Sequence, residues 1–141
     1  MEKTVTFLLV EDDVVDAKQV QRALHKLKLL NPIHIARDGV EALEMLRGEQ
    51  GREPIRSPYL ILLDLNMPRM NGLEFLEAIR KDSSLSQSIV FVLTSSKEER
   101  DRLSAYHHNV AGYIVKDDVA REGLIQALDM IDHYWRVVEF P

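Results

Sequence analysis

The sequence predicts a doubly wound α/β domain built on a five-stranded parallel sheet. Five short apolar runs of the kind that form buried strands are separated by stretches in which apolar residues recur at helical spacing. Such alternation is typical of parallel sheets with right-handed crossovers and helices on both faces. Because no linker or change of composition divides the 141 residues, we expect a single domain over 1–141, with 136–141 as a C-terminal tail.

The first half of the chain contains two predicted strands and two predicted helices. Apolar, β-branched and aromatic residues predict a strand at 5–10, and apolar residues at helical spacing predict a helix over 14–28. Asn31-Pro32 ends this helix, and Ile33–Ala36 is a short second strand before a turn at Asp38-Gly39. The second helix then carries an apolar stripe of Val40, Leu43 and Leu46.

The second half repeats this alternation after a loop at 48–58, which is rich in glycine and proline and which we expect to be mobile. Strands are predicted at 59–63, 89–93 and 113–115, each as a short apolar run. Helices are predicted at 73–81 and at 97–107, the latter capped by Ser96. A fifth helix is striped by Leu124, Leu128, Ile131 and Trp135.

Polar residues follow the ends of four predicted strands. Because the carboxyl ends of parallel strands meet at one edge of a sheet, we expect these residues to converge there. Asp64 directly follows three apolar residues, Ile61-Leu62-Leu63, before Pro68 and Gly72 interrupt regular structure. The residues at the strand ends are Glu11, Asp12, Asp13, Asp64, Thr94, Ser95 and Lys116.

This set of side chains fits phosphoryl transfer. Crowded carboxylates need a countercharge, and oxygen ligands without histidine or cysteine suit Mg²⁺. Asp64 could then attack phosphorus, while Lys116 and Thr94 supply a positive charge and a hydroxyl donor to the phosphoryl oxygens. The simpler alternative is a solvated polar rim closed by a salt bridge.

The ordered motifs resemble the receiver domains of two-component response regulators. They are Val10-Glu11-Asp12, Leu63-Asp64, Met67-Pro68, Gly72, Thr94-Ser95 and Gly112-Tyr113-Ile114-Val115-Lys116. The resemblance covers nearly the whole chain and implies a flavodoxin-like sheet in the strand order 2-1-3-4-5. One departure is Asp117, which stands where receivers usually carry a proline after the lysine.

The resemblance also implies a role for each matching residue. Asp64 would be the phosphoacceptor, and Mg²⁺ would be held by Asp64, by Asp12 directly, by Glu11 through water and by the backbone carbonyl of Asn66. The phosphoryl group would be bound, and its presence sensed, by Thr94, Ser95, Lys116 and the switch aromatic Tyr113. Asp13 receives no firm role.

A more specific resemblance is to stand-alone regulators that partner bacterial phytochrome kinases. It rests on the 48–58 insertion, Leu93-Thr94-Ser95-Ser96, Ala105-Tyr106 and the Tyr134-Trp135 ending. It implies a sensor histidine kinase of phytochrome type as the partner. Because little chain follows Trp135, we expect output by protein contact, as a homodimer through the helix-four, strand-five and helix-five face and the apolar tail.

Composition excludes several other classes of protein. A net charge of −5 gives no support for binding nucleic acid, and the absence of cysteine excludes disulfides and thiolate metal sites. No apolar stretch is long enough for a signal peptide or a membrane span, so we expect a cytoplasmic protein.

Two alternatives remain open at this point. The first is a phosphatase or phosphotransferase of the haloacid-dehalogenase type, which needs an aspartate two residues after the nucleophile, where this chain has Asn66. The second is a receiver-like binding module that is not phosphorylated, although Asp12, Asp64 and Lys116 are intact. A nucleotide-binding protein would need glycines after the first strand, where this chain has three acids.

Overall fold

The computed structural model describes residues 4–65, 67, 69–94, 108–115, 126 and 128–133, with the side chains of Thr94 and Val115 left out. It contains five strands, which are β1 (Thr6–Val10), β2 (Ile33–Ala36), β3 (Tyr59–Leu63), β4 (Ile89–Thr94) and β5 (Gly112–Val115). The helices within this part of the chain are α1 (Val14–Lys26), α2 (Gly39–Arg47) and α3 (Gly72–Lys81). Residues 128–133 are also helical, as the predicted fifth helix requires.

The five strands form one sheet in the order β2-β1-β3-β4-β5, and every neighbouring pair is parallel. The predicted fold class and strand order are therefore confirmed. In the register of the sheet, Val10 at the end of β1 lies beside Leu63 at the end of β3. The residues that follow these two strands consequently begin at the same level of one sheet edge.

Both faces of the sheet are covered by apolar side chains, which explains why its central strands are continuous apolar runs. On one face, alternate residues of the strands pack with α2 and α3 in a buried cluster that includes Leu63, Phe75 and Ile79. On the other face, a second cluster joins α1 to the helical segment at 128–133, with Leu24, Leu62 and Ile131 among its members. The functional edge thus rests on a core packed from two sides.

Local capping sets the ends of the helices. Asp13 is the N-cap of α1, and its Oδ1 accepts hydrogen bonds from the backbone N–H groups of Val15 and Asp16 at 2.8 and 3.0 Å. The helix ends at Lys26, two residues before the predicted end, because Lys28 has a left-handed backbone with a φ of 60°. At α3, Asn71 and Glu74 form a reciprocal capping box.

The 48–58 segment contains no strand or helix, as predicted, but several contacts fasten it to the domain. The backbone N–H of Ile55 donates to the carbonyl of Met45 at 3.0 Å, and its side chain packs on the first apolar cluster. The Arg52 guanidinium lies 3.2 Å from a carboxylate oxygen of Glu41 on α2. These contacts attach the segment to α2 at two points.

Some sequence predictions lie outside the described residues, including the helix at 97–107, its Ser96 cap and the tail. Within the described part of the chain, no helix is both long and apolar enough to cross a membrane.

Arg80 joins the end of α3 to the loop that precedes β5. Its guanidinium donates to four backbone carbonyls, those of Ser86, Ser88, His108 and Asn109, at distances between 2.6 and 3.1 Å. The side chain is partly buried. If the charged guanidinium is removed, these four carbonyls must either be hydrated or remain without a hydrogen-bond partner, and both outcomes cost free energy of folding.

Arg80→Ala is therefore expected to lower the free energy of unfolding by about 2–3 kcal/mol. Urea denaturation would measure this change. The matched control is Arg47→Ala, which removes another arginine whose Nε lies 3.1 Å from Asp82 in a more exposed ion pair. This control should lose about 1 kcal/mol or less, and equal losses in the two variants would contradict the role given to Arg80.

Candidate functional site

The site lies at the carboxyl edge of the sheet, where β1 and β3 end side by side. Parallel backbone pairing continues one step beyond both strands. The N–H of Asp64 donates to the carbonyl of Val10, and the N–H of Glu11 donates to the carbonyl of Ala36, both at 2.9 Å. These bonds fix the main chain at Glu11 and Asp64, so the sheet itself positions the two carboxylates.

Three carboxylates meet at this edge. Oxygen atoms of Glu11, Asp12 and Asp64 lie within 4.8 Å of one another. The residues Glu11 and Asp64 are only 2% and 6% exposed, whereas Asp12 faces solvent. Like charges at this spacing in a poorly solvated position repel one another, and a bound cation relieves that repulsion.

The donor set fits a hard divalent cation. All three groups offer carboxylate oxygens, the ligands that Mg²⁺ and related ions prefer. The exposure of Asp12 leaves one side of the cluster open to water, and Mg²⁺ keeps several waters in protein sites. The convergence predicted for the two strand ends is thus present in the structure.

Asp13, the third acid of the strand-one set, has a structural task. Its carboxylate caps α1, so it is directed to the helix N-terminus, and it is not a member of the carboxylate cluster. The sequence carried a signal for this role, because an aspartate immediately before a helical apolar pattern is a typical N-cap. The acids after β1 therefore divide between the cluster and the cap.

Gly72, at the start of α3, lies against the main chain that follows β3. The N–H of Gly72 donates to the carbonyl of Leu65 at 2.9 Å. A Cβ at position 72 would lie 2.4 Å from the backbone oxygen of Asp64 and 2.6 Å from the Cα of Leu65. Because both neighbours are main-chain atoms that cannot move aside easily, this position requires glycine.

The other predicted site residues are only partly described. The β4 backbone ends at Thr94, opposite Val115 at the end of β5, and Lys116 is the next residue in the sequence. Tyr113 pairs with Val92 and packs, partly buried, against the first apolar cluster. The Thr94 side chain, Asn66, Ser95 and Lys116 lie outside what the structure describes, as does the Lys116-Asp117 bond.

One feature near the site was missed by sequence reasoning. Asp38, predicted as part of a turn, is the N-cap of α2 and forms an ion pair with Arg69, whose Nε lies 2.7 Å from Asp38 Oδ2. Burial opposes ionisation of Asp38, but hydrogen bonds from Arg69 and from the backbone of Glu41, together with the Arg69 charge, hold the pKa of Asp38 below its usual value. Asp38 therefore stays ionised at neutral pH.

Comparison with known proteins agrees with this geometry. Residues 7–129 match the sequence model of the response regulator receiver domain. Response regulator Rcp1 from Synechocystis sp. is 34% identical over 128 residues, which is 91% of this chain and 86% of Rcp1.

Two solved structures have the same fold over almost their whole length. The phosphorylated cyanobacterial phytochrome response regulator RcpA superposes with a TM-score of 0.85 at 34% identity, over 96% of this chain and 97% of RcpA. The Mn²⁺-bound form of Rcp1 gives a TM-score of 0.83 at 33% identity, over 96% of this chain and 98% of that structure. These matches confirm that the chain is similar to response regulators of phytochrome systems.

Proposed function

This chain belongs to the response regulator receiver family of two-component signalling, and on that premise we propose that Asp64 accepts a phosphoryl group from a histidine kinase with the help of Mg²⁺. The observation that carries the proposal is the carboxylate cluster of Glu11, Asp12 and Asp64 at the carboxyl edge of the sheet. Receiver-domain response regulators are signalling proteins, so the reaction serves to change this domain and not to process a metabolite.

Asp64 is the residue best placed to be the nucleophile. It follows a strand whose last four residues are buried, and its backbone N–H donates to the carbonyl of Val10, so the main chain that carries its carboxylate is fixed. In the proposed step, one Asp64 oxygen attacks phosphorus and forms a P–O bond while the P–N bond to the kinase imidazole breaks. The imidazole takes up a proton as it leaves.

Glu11 and Asp12 would hold the cation with Asp64. Their oxygen ligands suit Mg²⁺, and the similar regulator Rcp1 has been crystallised in an Mn²⁺-bound form, which supports a divalent ion here. We propose Asp12 as a direct ligand, Glu11 as a ligand through water and the Asn66 carbonyl as the third protein ligand. The ion supplies neutralisation of charge between the acids and the phosphoryl oxygens.

The strand-end residues of β4 and β5 complete the proposal. Thr94 and Ser95 would donate hydrogen bonds to phosphoryl oxygens, and Lys116 would contribute its ammonium charge. Tyr113, which already packs on the first apolar cluster, would turn inward when Thr94 moves toward the phosphoryl group. Phosphorylation would then shift the domain between two existing conformations.

The simplest test uses a small phosphodonor in place of the kinase. The protein is incubated with acetyl phosphate and Mg²⁺ and then examined by intact mass spectrometry. We expect a mass increase of one phosphoryl group that survives acid and is lost in base, as an acyl phosphate requires. A folded protein that gains no phosphoryl group would overturn the proposal, and steady release of phosphate from many phosphate esters would support a phosphatase instead.

We also propose that the kinase is a sensor of phytochrome type and that the phosphorylated domain acts by forming a homodimer. The similarity to RcpA supports the first point. The second is supported by the tail sequence, where Tyr134, Trp135, Val137, Val138 and Phe140 fall within seven residues, and by Met130, which is 57% exposed on the helix that precedes it.

The dimer can be tested by measuring mass in solution with light scattering. The full chain is compared with a variant that ends at Trp135, each with and without beryllofluoride as a phosphoryl mimic. We expect beryllofluoride to produce a dimer of the full chain and to have a weaker effect on the shortened one. Monomers under all conditions at high protein concentration would refute the dimer.

A further inference from the structure

Arg69 forms an unusually well-defined ion pair for an arginine that is largely exposed. Its Nε and Nη2 donate to the two carboxylate oxygens of Asp38 at 2.7 and 3.1 Å. The Asp38 side chain is 8% exposed, whereas that of Arg69 is 61% exposed. A bidentate contact of this kind fixes direction as well as distance, so it constrains the backbone that carries Arg69.

The carboxylate that receives Arg69 is itself held in place. Asp38 Oδ1 also accepts the backbone N–H of Glu41 at 2.9 Å, because Asp38 caps α2. The position of the carboxylate is therefore set by the first turn of a helix that packs on the core. Arg69 is fastened to a rigid element and not to another loop.

The backbone at Arg69 adopts a conformation that arginine seldom takes. Its φ is +59°, in the left-handed region, where a side chain with a Cβ is disfavoured. The adjacent residue is tied as well, because the Met70 carbonyl accepts the N–H of Gly39 at 3.1 Å. Asp38 and Gly39 thus hold two consecutive residues, one through a side chain and one through the main chain.

These contacts hold Arg69 and Met70, near the C-terminal end of the segment that runs from Asp64 to Gly72. The two ends of this segment also meet, because the N–H of Gly72 donates to the carbonyl of Leu65 and Gly72 lies against the backbone oxygen of Asp64. The segment is therefore closed across its ends and anchored to α2 at Arg69 and Met70. It contains position 66, whose carbonyl is the proposed third protein ligand of the cation.

We propose that the Asp38–Arg69 pair positions the segment that follows Asp64 for binding of the divalent cation, which makes Arg69 a positioning residue for phosphoryl transfer. The inference rests on the proposed function of Asp64 as phosphoacceptor. Arg69 has no chemical part in the step; it acts by holding, together with Met70, the end of the segment that closes on Leu65 and Asp64 through Gly72.

The test compares Mg²⁺ binding by calorimetry in the wild type and in Arg69→Asn. Asparagine tolerates a left-handed backbone, so this variant keeps the conformation accessible, but its side chain is too short to reach Asp38 as arginine does. We expect the Mg²⁺ dissociation constant to rise by about tenfold, the scale typical of losing a group that orients a ligand. At saturating Mg²⁺, the rate of phosphorylation by acetyl phosphate should stay within about twofold of wild type, because the nucleophile is intact.

Two further variants separate positioning from general stability. Arg52→Gln breaks a different ion pair on α2, that of Arg52 with Glu41, and its Mg²⁺ affinity should equal that of wild type because Arg52 lies in the 48–58 segment and not in the one that follows Asp64. Asp38→Asn keeps a good N-cap but removes the charge. It should weaken Mg²⁺ binding as Arg69→Asn does, and the double variant should be no weaker than either single one.

An unchanged Mg²⁺ affinity in Arg69→Asn, with or without a loss of stability, would overturn the inference. So would additive effects of Asp38→Asn and Arg69→Asn, because two members of one pair must share one effect. The result is distinct from the test of the proposed function. If wild type accepts no phosphoryl group, Asp64 is not a phosphoacceptor. The Mg²⁺ dissociation constants of wild type and Arg69→Asn are measured without a phosphodonor, so they test the anchoring of the segment independently.

Discussion

Asp64→Asn is expected to abolish phosphorylation by acetyl phosphate while leaving the fold intact. Asparagine has nearly the same shape as aspartate, but its amide lacks the anionic oxygen that attacks phosphorus. The backbone bond from residue 64 to Val10 does not depend on the side chain, so β3 should still pair with β1. Intact mass spectrometry measures the modification, and circular dichroism checks the fold.

Asp13→Asn is the matched control for this variant. It removes one carboxylate at the same sheet edge, but asparagine is as good an N-cap as aspartate, so α1 should keep its start. We expect it to be phosphorylated at close to the wild-type rate. Modification of the Asp64→Asn protein at the wild-type rate would show that the phosphoryl group enters elsewhere.

Asp12→Ala is expected to weaken Mg²⁺ binding by at least about tenfold. Loss of a residue that only hydrogen-bonds to a metal ligand already weakens binding by about that factor, and Asp12 is proposed as a ligand itself. Among the described residues the cluster contains three carboxylates, and Asp12 is the one that faces solvent, where an entering hydrated ion meets the protein first. Isothermal calorimetry measures the dissociation constant directly.

The comparison again uses Asp13→Asn, which lowers the negative charge of this edge by the same amount without touching the cluster. If bulk electrostatics governed binding, the two variants would weaken Mg²⁺ binding equally. If ligation governs it, as we expect, only Asp12→Ala shows the loss. Equal affinities for wild type and Asp12→Ala would refute the role of Asp12 as a ligand.

The fold was predictable from the sequence because its strands are short apolar runs between strong breakers. Ile33–Ala36 and Tyr59–Leu63 are bounded by prolines, aspartates and glycines, and both strands have the bounds that the pattern predicts. Periodicity alone predicted parallel strands, but their order came from the resemblance of the ordered motifs. The end of α1 was placed two residues late, since helical spacing continues through Leu27 while the chain turns left-handed at Lys28.

The carboxylate cluster was predictable for a related reason. Topology brings the ends of parallel strands to one edge, so Glu11, Asp12 and Asp64 could be grouped without knowing any distance. The division of labour between Asp12 and Asp13 is a matter of which side chain turns toward the helix, and it required the N-cap geometry.

The Asp38–Arg69 pair could not be predicted from spacing. Its members are 31 residues apart and belong to different crossovers, and each has a common local explanation, a turn for Asp38 and a solvated loop for Arg69. Their contact depends on a left-handed backbone at an arginine, which no propensity favours. Similarly, the anchoring of the 48–58 segment depends on Ile55 reaching the core, although glycine and proline dominate its composition.

Locating the phosphoryl group is the most direct test of the central claim. The protein phosphorylated by acetyl phosphate is treated with borohydride, which reduces an acyl phosphate to an alcohol and releases phosphate. Digestion and tandem mass spectrometry then identify the altered residue. The account predicts that Asp64 alone becomes homoserine and that omission of Mg²⁺ prevents the change; homoserine at Asp12 or another aspartate, or the corresponding amino alcohol at a glutamate such as Glu11, with Asp64 unaltered, would contradict it.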